Sequence, residues 1–312
     1  MPNLPGEFEL IKLLTGFIKN KDPSIVRDFG DDTAFIKTKG GYTLLTVDTL
    51  VEGVHFLRNY PADAVGWKLV SVNVSDVAAK GGKPLYGLIT LALPEDVDLE
   101  YLKNLYRGVA AALKFYNFSL VGGNTTSSEK LCLDLSLVGF AERAIFRDTP
   151  KVGDRVFVSG TLGDSRAGLE ILLSEKKGLK SYERKLVEKH LRPRARTDLS
   201  NVVKKFANAS MDISDGFLGD LKKMCKDFTV EVFVEKLPIS QELKLYCNEK
   251  GLNPYEYALL GGEDYELLVS SSVDLSPFGF TEVGRVISEG EGKVLTPTGQ
   301  ELKGEGFDHL RG

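Results

Sequence analysis

Two mixed α/β domains are what this chain of 312 residues predicts, and three observations carry the prediction. Its length supplies a core for each of two domains. Helical and strand-like patterns alternate along it. Near the middle, RDTPKVGD (147–154), with Pro150 and Gly153, punctuates the pattern and divides the chain into 1–148 and 149–312.

In the first part, EFELIKLLTGFIK (7–19) reads as a helix and YTLLTVD (42–48) as a strand. The helix PADAVGWKLVSVNVSDVAAK (61–80), the strand LYGLITLAL (85–93) and the helix DLEYLKNLYRGVAAALKFY (98–116) follow. FSLVGG (118–123) and LCLDLSLVGF (131–140) close the part as strands. After the boundary come a strand at 155–159, helices near 164–174, 182–191 and 216–226, and strands near 229–234, 265–270 and 280–287. No solenoid-length repeat and no low-complexity tract interrupts them.

Composition removes several function classes. A formal net charge of −4 does not suit a nucleic-acid binder. Cys132, Cys225 and Cys247 stand far apart, which argues against a disulfide framework or a zinc site and fits a reducing compartment. MPNLPGEFEL has neither a basic nor an apolar signal region, and no run approaches a membrane span, so the expectation is a soluble cytoplasmic protein.

Carboxylates then gather where local structure does not ask for them. FGDDTAFI (29–36) sets Asp31 and Asp32 before an apolar run, where a plain turn is the alternative. LLTVDTLVEGVHF (44–56) ends a buried strand on Asp48 and adds Glu52 and His55, although a lone His beside Phe56 also suits simple packing. Asp76 is the one charge between Lys68 and Lys80, with Asn73 on the same helix face. A helix so apolar is buried, so Asp76 must meet either a cation or a salt-bridging Arg or Lys. SMDISDGFLGD (210–220) holds Asp212 and Asp215 ahead of Gly216, and GGEDYELL (261–268) sets Glu263 and Asp264 behind two glycines.

Glycines supply the complement. LVGGNTTS (120–127) reads as a strand running into a loop able to approach an anion, and SGTLGDSRAGLEILL (159–173) as a strand-to-helix passage or a tight turn. No GxxxxGK[ST] and no HRD or DFG set occurs. Oxygen ligands at the ends of buried elements, without a His-rich cluster, favour magnesium over zinc. The residues therefore predict a magnesium-dependent enzyme acting on phosphate.

The ordered motifs GEFELI, GDDTA, TVDTLVEGVHF, VNVSDVAAKGG, GGNTT, SGTLGDSRAGL, HLRP, MDISDG, GGEDYEL and GFDHL resemble the thiamine-monophosphate kinase family over essentially the whole chain. The resemblance implies the PurM-like α/β fold of the aminoimidazole ribonucleotide synthetase superfamily. In that fold the N-terminal domains of a homodimer share a β-barrel, and a C-terminal α/β domain completes the site. It implies ATP and Mg2+, with transfer of the γ-phosphate to thiamine monophosphate. Carried over position by position, it makes Asp32, Thr46, Val47, Asp48, Asp76, Asn124, Asp212 and Asp215 metal residues. Tyr106, Gly123, Asn124, Arg147 and Ser214 fall to ATP, and His55, Glu263 and Phe307 to the thiamine phosphate. Asn124 replaces an Asp of the family pattern and removes a charge, while Val47 would serve through its carbonyl. No side chain is expected to act as an essential general base.

Two rival classes remain open. A selenophosphate synthetase would need a reactive Cys near the N-terminus, but the first is Cys132, and the hydrogenase-maturation relative needs a C-terminal Cys where this chain ends DHLRG. A nucleotide-sensing module would bind without turnover. HLRPRAR (190–196) is expected to place Arg194 and Arg196 on the surface.

Overall fold

The computed structural model describes residues 5–304 and residue 306. The first half begins with α1 (Glu7–Thr15), β1 (Ile25–Arg27), β2 (Ala34–Thr38), β3 (Gly41–Val51) and α2 (Ala62–Ala79). It continues with β4 (Lys83–Leu93), α3 (Leu99–Tyr116), β5 (Ser119–Ser127) and β6 (Cys132–Ala141). The strands form one six-stranded sheet in the order β1-β2-β3-β6-β4-β5, antiparallel except for β4 with β5.

Strand alternation sorts this sheet into two faces. Leu44, Leu50, Ile89, Leu91, Leu133, Leu135 and Leu137 are buried in one core with Val65, Leu69 and Val72 of α2. Each such burial is worth roughly 1.5–3 kcal/mol. The other face is open: Leu45, Val47, Tyr86, Leu88 and Val121 are exposed. Register aligns Leu45 and Tyr86 on either side of Val138, and Val47 and Leu88 on either side of Ser136.

The second half holds β7 (Arg155–Ser159), α4 (Asp164–Leu173), α5 (Ser181–Leu191), α6 (Ser200–Phe206), β8 (Ala209–Asp212) and α7 (Phe217–Met224). It ends with β9 (Phe228–Val232), α8 (Gln241–Lys250), α9 (Pro254–Leu260), β10 (Leu267–Ser271), β11 (Phe280–Glu289) and β12 (Val294–Leu295). Its sheet is also six-stranded, in the order β12-β9-β11-β7-β10-β8. The expected mixed α/β architecture is present in both halves.

α2 explains its own composition. It packs on β3, β4 and β6, on α3, and on β8, α5 and α6 of the second half. A helix surrounded in this way has no polar face to present. No helix among the described residues is long and apolar enough to cross a membrane.

The stretch 120–127 differs from the sequence expectation. It continues as β5, paired in parallel with β4 up to Leu93↔Ser127, and does not form a loop. Gly123 serves close strand approach: a Cβ there would lie 1.9 Å from the Ile89 carbonyl oxygen.

Candidate active site

Asp76 lies in the last turn of α2, against the middle of β3. Alternation turns Thr46 and Asp48 of β3 toward the helix and leaves Val47 exposed on the opposite face. The Thr46 hydroxyl donates to Asp76 Oδ2 at 2.5 Å. The Asp48 main-chain N–H donates to Asn73 Oδ1 at 2.9 Å, and Asn73 donates in turn to the Leu69 carbonyl at 2.9 Å. Asn73 thus fixes the strand against the helix, and β3 runs three residues beyond Asp48, the end that the sequence predicts, to Val51.

From the second half, β8 delivers Asp212 as its last residue, 4% exposed. Asp76 and Asp212 have no Lys or Arg ion-pair partner among the described residues. Burial, then Asp48, Asp212 and Asp32, push the Asp76 carboxyl well above its ordinary range. Burial, then Asp32, with Asp220 and Asp48, does the same to Asp212. The salt-bridge alternative for Asp76 is therefore not what this fold provides. Buried, mutually repelling carboxylates fit a cation.

Among the described residues, no group of three or more His, Cys, Asp or Glu side chains stands close enough together to hold a metal ion by itself. Carboxylate and hydroxyl oxygens are the donors magnesium takes, and it keeps waters and bridges to substrate phosphates. Asp32, Thr46, Asp48, Asp76 and Asp212 are the residues that would hold it.

Lysines sort the remaining acids. Lys80, fully buried, lies 2.6 Å from Asp31 Oδ1 and 2.8 Å from Asp32 Oδ2, and donates to the Ser210 carbonyl at 2.6 Å. Burial opposes its charge, but Asp31 and Asp32 outweigh burial and hold it above its ordinary value. Asp31 also accepts from the Arg147 main-chain N–H at 3.2 Å, so its work is structural. The Arg147 guanidinium stands 3.7 Å from Asp32 Oδ1, beside the carboxylates.

Asp215 pairs with Lys223, which also holds Asp220 at 2.6 Å. Asp220 accepts from the main-chain N–H groups of Ser214 and Asp215 at 3.1 and 3.0 Å, fixing the turn between β8 and α7. Burial pushes Asp220 up to about 6, against the pull of Lys223. Glu52 forms a two-pronged pair with Arg58 at 2.8 and 2.7 Å and belongs to the scaffold.

The loop 261–266 closes the cleft. Glu263 and Tyr265 adopt left-handed φ values of 62° and 52°. Their N–H groups donate to the Ser214 and Ile213 carbonyls at 2.7 and 2.9 Å, zipping the loop to the β8 turn. Gly262 permits this approach, since a Cβ would lie 2.6 Å from the Ser214 carbonyl oxygen. Asp264 faces away and accepts from the Gly163 and Ser165 N–H groups at 2.6 and 3.2 Å. It fills the anion position at the start of α4, so SGTLGDS is a structural turn here.

A cleft of about 640 Å³ is lined by Asp48, Asp76, Asp212, Ser214, Asp215, His55 and Glu263, gathering residues from both halves. His55 Nδ1 accepts from the Val51 main-chain N–H at 3.0 Å, so a neutral ring carries its proton on Nε2. Burial raises the Glu263 carboxyl, but Lys68, with His190 and His55, outweighs it and holds Glu263 below its ordinary value.

Tyr106 on α3, and Gly123 and Asn124 on β5, are exposed and lie outside this lining. Phe307 lies outside the described residues. A larger cavity, about 830 Å³, borders α5 and 192–198. Its charges answer one another: Lys185 with Glu242, Arg192 with Glu188 and Asp63, and Arg196 with Glu266 at 2.8 Å. Arg196 is thus tied inward, contrary to the surface position expected for it, while Arg194 stays outside, over the Phe115 ring.

Sequence reasoning missed Lys68 and His190. Lys68 is 2% exposed, and its Nζ lies 2.6 Å from Glu263 Oε1. His190, also 2% exposed, places Nδ1 3.1 Å from Ser165 Oγ and 3.4 Å from Glu263 Oε2. The signal was present: Lys68 is a charge set between Trp67 and Leu69 on a helix read as buried.

Comparison with known proteins places this geometry. The model of the AIR synthase related protein N-terminal domain matches residues 30–141, and that of the C-terminal domain matches residues 151–296. Thiamine-monophosphate kinase of Aquifex aeolicus (strain VF5) is 49% identical over 309 residues, covering 98% of each chain. The Bacillus subtilis (strain 168) protein of that name is 32% identical over 329 residues, covering 98% of this chain and 99% of its own. A solved structure named AaThiL complexed with AMPPCP and TMP superposes with a TM-score of 0.91 at 49% identity, covering 97% of both chains. The chain belongs to the AIR synthase related family and, within it, to the thiamine-monophosphate kinases.

Proposed function

We propose that this protein transfers the γ-phosphate of ATP to the phosphate of thiamine monophosphate, giving thiamine diphosphate and ADP. The observation that carries the reading is the set of buried carboxylates, Asp76 and Asp212 foremost, in a cleft shared with His55 and Glu263. The relatives' names and the solved complex with AMPPCP and TMP support it.

Magnesium bound by Asp32, Asp48, Asp76 and Asp212 would neutralise charge where two phosphate groups meet. The acceptor needs no base, because a phosphate monoester sheds its second proton at about pH 6. His55 fits that economy as a contact to substrate, its ring oriented by the Val51 N–H at Nδ1. Glu263 meets the organic part of the substrate. Arg147, near Asp32, and Ser214, on the β8 turn, serve ATP, with Tyr106, Gly123 and Asn124 completing that role. Val47 contributes its carbonyl, Asp215 a further carboxylate, and Phe307 a substrate contact.

The working protein is a cytoplasmic homodimer, divided at 148/149, whose subunits join through the exposed apolar face of the first sheet. Incubation with ATP, thiamine monophosphate and magnesium should yield thiamine diphosphate and ADP in equal amounts. ATP hydrolysis with thiamine monophosphate left intact would contradict this reading.

A further inference from the structure

Glu263 is a substrate-side carboxylate held from the other half of the molecule. Lys68 projects from α2, and its ammonium lies 2.6 Å from Glu263 Oε1 while donating to the His55 main-chain carbonyl at 3.1 Å. One point charge with several donors therefore touches both loops expected to contact the thiamine phosphate. Resting on the function proposed above, we infer that Lys68 is a positioning residue: it clamps the His55 and Glu263 loops into one preformed subsite for the cationic, N–H-bearing organic part of the phosphate monoester.

Three features of the geometry support the clamp. Glu263 sits at φ 62°, a conformation that persists in a non-glycine residue only where its surroundings fix it. The His55 loop is anchored at its other end by Val51, whose carbonyl accepts from the His55 N–H at 2.9 Å. His190, against the second Glu263 oxygen, is pushed down to about 4 by burial and by Lys68, so at neutral pH it supplies a contact without a charge. A buried ion pair adds little net stability against an apolar replacement of like size. Its worth here lies in aim, at the junction of the two loops that Lys68 touches.

The test uses Lys68→Met, Glu263→Gln and the double variant in the full-length protein. Lys68→Met should raise KM for thiamine monophosphate about tenfold or more, the size expected for a lost charge-assisted contact. Both kcat and KM for ATP should stay within about twofold of wild type. Glu263→Gln should shift the same constant, and the double variant should be no worse than the larger single. Equal losses on both substrates, a fall in kcat alone, or strictly additive effects would overturn the clamp.

If Lys68→Met does not fold, the double variant, which leaves no unpaired charge, decides the point: wild-type KM for thiamine monophosphate would overturn the inference. Amide hydrogen exchange reads the clamp without turnover. Lys68→Met should speed exchange at His55, Glu263 and Tyr265 together, and unchanged exchange at these amides would sink it. Should wild type fail to phosphorylate thiamine monophosphate, the functional reading falls, while the exchange result still decides whether Lys68 joins the loops.

Discussion

Asp212 and Asp215 stand three residues apart and keep different company. Asp212 is buried with Asp76 and Asp32 for neighbours, while Asp215 is partly exposed and already paired with Lys223. Removing Asp212 therefore takes more from a cation site. Asp212→Asn should raise the magnesium concentration for half-maximal rate about tenfold or more, the scale of one lost charge-assisted contact. Asp215→Asn should shift it less. A reversed order, or no shift in either, would count against the assignment. His55 makes a second residue-scale prediction. His55→Asn should raise KM for thiamine monophosphate with turnover retained, whereas a turnover loss of about 10²-fold or more would mark a general base. His190 gives a pH prediction. Burial holds its pKa at about 4 in the folded chain, against an unfolded value of about 6.5. The unfolded state thus takes up the proton first as pH falls. The stability tied to His190 is present above pH 6.5 and is lost toward pH 4, by about 3 kcal/mol. Denaturant titrations of His190→Gln should show that much less slope across the window; an identical slope would contradict it.

At the scale of elements, α2 was the most legible part of the chain. Its unbroken apolar pattern predicted both burial and the oddity of Asp76, and its bounds fall within one residue of those expected at either end. Alternation in LCLDLSLVGF read just as cleanly, because β6 has one buried face. The second half was harder. α8 buries only Leu243, Tyr246 and Cys247, too narrow a stripe to stand out from its charged neighbours. β2 is five residues long behind a turn of acids, and β5 carries two glycines that mimic a loop. What no local pattern could supply was pairing between distant segments: which lysine meets Asp31, which meets Glu263, and that Asp264 caps α4. Those contacts join positions up to 195 residues apart, as Lys68 and Glu263 are (263 − 68). The candidate carboxylates were legible, and their scaffold was not.

For the whole molecule, the first sheet leaves Leu45, Val47, Tyr86 and Leu88 exposed in register, with Val121 exposed on β5. A contiguous apolar face of this kind suits a second copy. Leu88→Asp should turn a dimer into a monomer in sedimentation at micromolar concentration, and an unchanged mass would remove this face from the interface. The central claim is that buried carboxylates gathered from both halves exist to transfer phosphate, not to hold the fold. Asp76→Asn tests it most directly, because the amide keeps the shape and removes one of several repelling charges. Transfer of label from γ-labelled ATP to thiamine monophosphate should fall about 10²-fold or more, the scale of losing one electrostatic stabiliser of a developing charge. The melting temperature without magnesium should equal or exceed that of wild type. Label transfer at the wild-type rate, or a melting temperature several degrees lower, would contradict the account.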